Sequence, residues 1–422
     1  MIEKLIEGKY YNINELELLI GSGYFSLVRS GIIIEKELRA KLNFVGLIFA
    51  KKKFCYVLPK YYRAVKEIEI NDNEIDLVQE SLLIYGQTSF LNTPSLFDED
   101  GVICSPKLQA AINIIRYYFE KGLLAPNTFE RSSSYNDRVL WEKTIELTHP
   151  IIRDNVPIYV DPVSLKSKRN ESHLITEIQK WLTTKAFELV GKMMFPSESI
   201  SLESNCAEEE KDYYFLVIES YLQNIYSDVE IDLLQNMLRF LNKEIEMQNT
   251  EVEVYGTKSF HRIWELANKV LWNDQFENLQ QSLPTIIWEY DSASFISTDT
   301  IIPDILIKTE DTFFVVDAKY YLPIFRGTKP IGQPGVESIT KQFVYEDILR
   351  KKYKDLNFKN IFCFPDEKRL KEDNAVLSLS NDDVNGKVNF ENSPYNHILN
   401  IYLPPKAVLK NFCDRISAKN IL

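Results

Sequence analysis

The feature that most constrains this chain is a pair of short apolar runs separated by a polar turn. The runs lie within IIPDILIKTEDTFFVVDAKYY, which spans Ile301–Tyr321. Each is rich in β-branched and aromatic residues and too short for a typical helix, so we predict two strands, Ile305–Lys308 and Phe313–Lys319. We expect them to pair as a hairpin through Thr309–Thr312. A sheet is therefore the expected core of this part of the chain.

Charged residues interrupt this apolar pattern at three positions. Residues i and i+2 of a strand point to the same face, so Asp317 and Lys319 are predicted to lie side by side. Asp304 begins the preceding strand, and the hairpin would bring it close to Asp317. Two converging carboxylates repel each other unless a cation lies between them, and Mg²⁺ prefers oxygen ligands. A neighbouring lysine can orient the attacking water or stabilise charge on phosphorus. These residues predict a metal-dependent phosphodiesterase site.

Pro303-Asp304 followed by Asp317-Ala318-Lys319 resembles the PD-(D/E)XK signature of the restriction-endonuclease-like superfamily. The resemblance implies that Asp304 and Asp317 bind Mg²⁺, with Mn²⁺ as an alternative ion, and that Lys319 is catalytic. The competing interpretation is a surface hairpin with an ordinary salt bridge.

The superfamily often adds an acidic ligand from a helix before the sheet. The segment YGTKSFHRIWELANKVLW has helical spacing, and we predict a helix over His261–Leu271. Glu265 borders the apolar face of this helix and is the predicted third metal ligand. The alternative for Glu265 is an ion pair with Lys269, four residues later.

A second helix is predicted after the signature, over Ser338–Tyr353. Many nucleases of the superfamily carry Q-x-x-x-Y here, in contact with DNA or the site. This sequence has Q-x-x-Y, so Gln342 is the predicted site residue. The alternative for Tyr345 is packing in the core.

Three segments with different patterns follow one another along the 422 residues. Residues 1–127 are predicted to be a strand-rich domain, with strands Phe44–Ala50 and Phe54–Leu58. Residues 139–249 are predicted to be mostly helical, and 251–422 to form the nuclease domain, a mixed sheet flanked by helices. The segment Ala125–Arg138 is predicted to be a linker. The expected class is α/β with several domains.

Composition excludes several other classes of function. The net charge of −12 argues against a simple basic coat protein for nucleic acid. The five cysteines form no CxxC pair, which indicates reduced thiols in a cytoplasmic protein and no cysteine zinc site. We expect no membrane association, because no apolar run reaches spanning length.

A closer resemblance extends from Trp141 to the C-terminus. WEKTIELTHPIIRDNVPIYVD, GTKSFHRIWE, PGVESITKQFVYEDIL and NIFCFP, together with the signature, resemble the LlaJI family of restriction endonucleases, relatives of the McrC nuclease subunit of McrBC restriction systems. The resemblance implies a type II or type IV restriction-like endonuclease that cleaves invading double-stranded DNA. It also implies a separate McrB-like AAA+ GTPase subunit, onto which the N-terminal region would dock.

The chain lacks the GxxxxGK[ST] phosphate-binding sequence, so we expect it to bind no nucleotide itself. Two alternatives remain open. One is a stand-alone PD-(D/E)XK DNA nuclease that needs no GTPase. The other is a non-catalytic DNA-binding or assembly subunit, in which alanine at Asp304 or Asp317 would change only stability.

Overall fold

The computed structural model describes most of the chain and has the predicted mixed α/β class. The described residues are 3–50, 53–65, 70–92, 103–170, 172–191, 194–195, 198–242, 252–290, 293–300, 302–326, 329–372, 379 and 383–418. Contacts group the chain into two compact units, one of residues 1–104 with 250–422 and one of residues 105–249. This grouping differs from the three predicted segments, whose independence as domains stays a prediction. Within the described part, no helix combines the length and apolarity needed to cross a bilayer.

The first unit contains a five-stranded sheet built mainly from the N-terminal segment. Its strands run in the order Glu3–Ile6, Lys53–Leu58, Val45–Ala50, Val252–Thr257 and Ile103–Cys104. The first pair is parallel and the other pairs are antiparallel. The two predicted N-terminal strands are confirmed. The strand Val252–Thr257 comes from the segment predicted as the nuclease domain, so the two ends of the chain share this sheet.

Two glycines allow the strands Val45–Ala50 and Val252–Thr257 to approach each other closely. Gly46 lies opposite Gly256, and its φ of 145° favours glycine. A Cβ atom on Gly256 would lie 2.2 Å from the carbonyl oxygen of Val45. Larger residues at this position would therefore push apart the strand pair that joins the N-terminal segment to the nuclease segment.

Smaller elements surround this sheet. A three-stranded antiparallel sheet has the order Tyr10–Asn12, Arg39–Leu42 and Ile33–Lys36. Helices of this part are Ile13–Ile20, Tyr24–Arg29 and Asp72–Asn92, with short 3₁₀ turns at Gly21–Gly23 and Lys60–Tyr62.

A second, mixed sheet forms the core of the C-terminal segment. Its strands run in the order Ile305–Lys308, Thr312–Ala318, Asn357–Pro365, Ile398–Leu403 and Val384–Val388. The three central strands are parallel and the edge pairs antiparallel. The predicted hairpin is confirmed, because Ile305 lies opposite Val316. A parallel step needs a crossover, which the helix Val336–Lys352 supplies.

Helices cover both faces of this sheet. On one face, Phe313 and Val315 pack with Tyr345 and Leu349 of the crossover helix. On the other face, the helix Phe260–Trp272 contacts the strands. This arrangement leaves the strands buried on both sides, which explains their nearly continuous apolar sequences. Both predicted helices are confirmed, with ends that differ from the prediction by one or two residues.

The remaining elements of the C-terminal segment are short. A last helix, Pro405–Asp414, contacts Phe260–Trp272. Two antiparallel ribbons pair Thr285–Tyr290 with Ala293–Thr300 and Ile324–Arg326 with Lys329–Ile331. The helix Phe276–Leu279 and the 3₁₀ turns Gln280–Ser282 and Glu367–Arg369 complete the segment's described elements.

The second unit combines helices with a small sheet. Its helices are Pro106–Lys121, Trp141–Leu147, Leu174–Ala186, Lys211–Leu222 and Asp228–Leu241, with a π turn at Phe187–Gly191 and a 3₁₀ turn at Glu208–Glu210. Its strands form a sheet in the order Asn127–Ser132, Ser164–Arg169 and Arg138–Val139, and a ribbon of Ile151–Arg153 with Val156–Ile158.

The linker predicted at Ala125–Arg138 is therefore wrong. Its residues Asn127–Ser132 form a strand, which pairs over its whole length with Ser164–Arg169. Its serine-rich composition suggested a loop, but the pairing with Ser164–Arg169 satisfies its backbone. The Ser132 and Ser164 hydroxyls add a hydrogen bond between the two strands.

Candidate active site

Two aspartates face each other where the hairpin ends. The pairing ends with Ile305 opposite Val316, so Asp304 and Asp317 are the residues next to this last pair. Their carboxyl groups interact through a side-chain hydrogen bond. The amide of Ala318 also donates to Oδ2 of Asp304 at 3.1 Å. The hairpin thus holds both side chains at one point on the sheet edge.

This environment changes the acidity of Asp304. Burial, followed by the hydrogen bond and the negative charge of Asp317 and by the charge of Glu265, raises the pKa of Asp304 to about 8. The hydrogen bond from Ala318 acts in the opposite direction. The donor set of two adjoining carboxyl groups fits a hard divalent cation, which prefers oxygen ligands.

Lys319 lies beside the aspartate pair, as the alternation of strand residues predicted. Its Nζ atom is 2.8 Å from Oδ2 of Asp317, and the two side chains are 19% and 14% exposed. The amide of Lys319 donates to the carbonyl of Cys363 at 2.9 Å, which extends the strand pairing by one residue. The ammonium group is therefore largely screened from solvent and placed at the carboxylates.

Glu265 is close to the pair but is held by another partner. Its carboxylate forms an ion pair with Lys269 at 3.0 Å, and each side chain is 31% exposed. Across the described ranges, no three His, Cys, Asp or Glu side chains gather closely enough to hold a metal ion. The arrangement is thus a two-carboxylate site with a third carboxylate nearby. The role of Glu265 as a ligand stays a prediction, and it requires the side chain to leave Lys269.

The crossover helix places Gln342 and Tyr345 differently from what the spacing suggested. Gln342 is 1% exposed, and neither its Nε2 nor its Oε1 atom has a hydrogen-bond partner in the part of the chain that the structure describes. The hydroxyl of Tyr345 donates to the carbonyl of Ile302, two residues before Asp304, at 3.3 Å. Burial raises the pKa of Tyr345, and the charges of Asp304 and Asp317 add to this effect. Tyr345 therefore adjoins the aspartates, while the role of Gln342 stays a prediction.

Comparison with known proteins identifies the family. The sequence model described as LlaJI restriction endonuclease matches residues 44–391. This chain belongs to the LlaJI restriction endonuclease family. The match confirms the predicted family, includes all five predicted site residues and makes the chain a nuclease of a restriction system.

Individual relatives are more distant. The chain is 26% identical over 378 residues to the type II restriction enzyme BsuMI component YdjA of Bacillus subtilis (strain 168), covering 85% of this chain and 80% of that protein. Among solved structures, a half-complex of Thermococcus gammatolerans McrB AAA+ hexamers with bound McrC matches with a TM-score of 0.41 and 13% identity, over 98% of this chain and 99% of that chain. The McrBC complex of the same organism gives a TM-score of 0.27 and 10% identity, over 63% and 85%.

One further charged residue of this LlaJI-family nuclease, Lys341, lies near the site and is not among the predicted site residues. Lys341 pairs with Glu337 at 2.7 Å. The hydrogen bond and charge of Glu337 raise the pKa of Lys341, with smaller contributions from Tyr345 and Asp317. The signal in the sequence was the spacing of four residues between Glu337, Lys341 and Tyr345, which puts all three on one face of the helix.

The same crossover helix presents little free positive charge. Arg350 pairs with Glu346 at 2.5 Å, and Lys351 pairs with Asp347 at 3.0 Å. These ion pairs between residues four apart neutralise much of the positive charge at the end of the helix. Contact with DNA through this helix would therefore depend on rearrangement of these pairs.

Proposed function

We propose that this chain hydrolyses phosphodiester bonds of double-stranded DNA at Asp304, Asp317 and Lys319 in a Mg²⁺-dependent reaction. The observation that carries the proposal is the hydrogen-bonded pair of aspartates with the Lys319 ammonium 2.8 Å from Asp317. Family membership supports the nuclease activity. A surface hairpin with an ordinary salt bridge would not need two carboxyl groups half-buried against each other.

Each residue has a role that follows from its position. Asp304 and Asp317 would hold Mg²⁺, or Mn²⁺ in its place, through carboxylate oxygens, and Glu265 would complete the ligand set after leaving Lys269. When bound, the ion supplies a Lewis acid for the phosphoryl oxygen and lowers the pKa of water.

Lys319 and Gln342 act on the substrate side of the site. The Lys319 ammonium donates hydrogen bonds to the attacking water or to the scissile phosphate and stabilises the charge that develops there. Gln342 has two unpartnered polar atoms and would contact DNA or the site when the helix adjusts to substrate.

A separate subunit is part of the proposal. The Bacillus subtilis relative is named as a component of a restriction enzyme. This chain lacks the phosphate-binding sequence GxxxxGK[ST], so any nucleotide-driven step must be carried out by another chain. The family resemblance favours a McrB-like AAA+ GTPase that docks on the N-terminal region.

Co-purification with such GTPases, followed by a cleavage assay, tests the proposal. The expected result is DNA cleavage that requires Mg²⁺, the partner and GTP, and that is lost in Asp304→Ala and Asp317→Ala. Prompt cleavage by the purified chain with Mg²⁺ alone would instead identify a stand-alone nuclease. Normal cleavage by complexes that contain either alanine variant would leave the chain a non-catalytic subunit.

A further inference from the structure

Tyr320 directly follows Lys319 and is fixed in a buried aromatic cluster. It is 4% exposed. Its ring packs on Phe260 with centroids 5.5 Å apart and meets the ring of Tyr61 edge-on at 6.3 Å. Phe260 begins the helix that carries Glu265, whereas Tyr61 belongs to the N-terminal segment. Tyr320 therefore packs against both the N-terminal segment and the helix that carries Glu265.

The phenol of Tyr320 joins a hydrogen-bond network with the N-terminal segment. Its hydroxyl donates to Oε2 of Glu7 at 2.7 Å, a residue 313 positions away in sequence. The amide of Lys60 donates to the Tyr320 hydroxyl at 3.0 Å and to Oε2 of Glu7 at 3.2 Å. The Lys60 ammonium lies 4.0 Å from the centroid of the Tyr320 ring. Both functions of the phenol, donor and acceptor, are thus satisfied in a buried place.

The partners of Tyr320 are themselves fixed by the N-terminal sheet. Glu7 follows the strand Glu3–Ile6, and its amide donates to the carbonyl of Leu58 at 2.9 Å. Lys60 lies two residues after Leu58, at the end of the neighbouring strand. The ends of two paired strands therefore determine where the phenol of Tyr320 can sit.

The strand that precedes Lys319 ends at Ala318. Beyond Ala318, two hydrogen bonds hold the chain in place. One joins the Lys319 amide to the carbonyl of Cys363, and the other joins the Tyr320 hydroxyl to Glu7. We propose that Tyr320 is a positioning residue for Lys319, and that Glu7 and Lys60 make the placement of the Lys319 ammonium depend on the N-terminal sheet. The inference rests on the proposed function, because it assigns a consequence for catalysis to this contact.

Removing one hydroxyl tests the inference. Tyr320→Phe keeps the packed ring and removes both hydrogen bonds. In the complex with the partner subunit, we expect kcat for DNA cleavage by this variant to be about ten- to hundredfold below wild type, while KM for DNA and the Mg²⁺ requirement stay unchanged. Glu7→Ala should behave in the same way. Glu7→Gln retains an acceptor for the phenol and should restore most of the rate.

Tyr61→Phe is the matched control. The Tyr61 hydroxyl is also buried in this cluster, but it has no hydrogen-bond partner among the described residues. Its removal should leave kcat unchanged. An equal loss of kcat in Tyr61→Phe and Tyr320→Phe, or a wild-type kcat in Tyr320→Phe, would overturn the inference.

Hydrogen–deuterium exchange gives a second readout that does not need activity. Amides in a peptide covering Asp317–Leu322 should exchange faster in Tyr320→Phe and Glu7→Ala than in wild type, Glu7→Gln and Tyr61→Phe. Wild-type exchange rates in Tyr320→Phe and Glu7→Ala would show that the Tyr320 hydroxyl does not hold this segment in place. If the wild-type complex cleaves no DNA, the proposed function fails, and the exchange rates still decide whether Tyr320 anchors this segment.

Discussion

Lys319 Nζ lies 2.8 Å from Asp317 Oδ2, on the face of the strand where Asp317 meets Asp304. The lysine is therefore held at the site by a carboxylate before substrate is present. Under the proposed function, its charge would stabilise the phosphate at the aspartate pair without moving into place first.

Lys319→Ala should abolish most catalysis and preserve binding. The ammonium contributes mainly when charge develops in the transition state, so we expect kcat to fall about 10²- to 10³-fold with little change in DNA affinity. Lys319→Arg should restore only part of the rate, because a guanidinium is larger and does not release its proton. Gel shift with Ca²⁺ and cleavage with Mg²⁺ on the same variant separate the two effects. A collapse of DNA binding would instead make Lys319 a DNA contact.

Asp304→Ala and Asp317→Ala should each lower cleavage by about 10³-fold or more, because loss of a metal ligand removes several kcal/mol of transition-state stabilisation. Circular dichroism should show that both variants remain folded. For the wild-type complex, Mg²⁺ and Mn²⁺ should support turnover, whereas Ca²⁺ should bind without supporting it. Cleavage by a folded alanine variant at the wild-type rate would contradict the assignment of these two ligands.

Glu265→Gln should raise the Mg²⁺ concentration needed for half-maximal cleavage about ten- to hundredfold, because a negative ligand is lost. Lys269→Ala is the matched comparison. It frees the Glu265 carboxylate from its 3.0 Å ion pair and should lower the Mg²⁺ requirement or leave it unchanged. Titration of both variants with Mg²⁺ at saturating DNA measures the effect. Identical Mg²⁺ dependence in Glu265→Gln and wild type would show that Glu265 is not a metal ligand and serves only in the ion pair with Lys269.

The raised pKa of Asp304 predicts how the metal-free protein responds to pH. The folded pKa of about 8 lies above the usual 3.8, so the folded state holds a proton that the unfolded state has released. The stability that this proton contributes is complete below about pH 4 and is lost as pH rises to about 8. Relative to Asp304→Asn, the wild-type melting temperature in EDTA should therefore fall between about pH 4 and about pH 8. Parallel melting curves for the two proteins over this range would contradict the assigned pKa.

Local patterns in the sequence determined much of this site. Alternation in an extended strand put Asp317 and Lys319 on one face, and the polar turn between two apolar runs determined the hairpin that brings Asp304 close to Asp317. Helical spacing determined the buried face of Phe260–Trp272. These relationships join residues a few positions apart, so the periods of the strand and the helix are sufficient to predict them.

Only the tertiary structure decided which distant segments meet. The strand Val252–Thr257 joins the N-terminal sheet, and Glu7 receives the hydrogen bond of Tyr320. Neither contact leaves a local pattern, because an apolar strand can pair with any edge and a buried carboxylate can accept from any donor that packing delivers. The strand Asn127–Ser132 was missed for the same reason, since its polar sequence becomes a strand only by pairing with Ser164–Arg169. Long-range pairing is selected by the packing of the whole chain, and composition and period describe only the segment in which they occur.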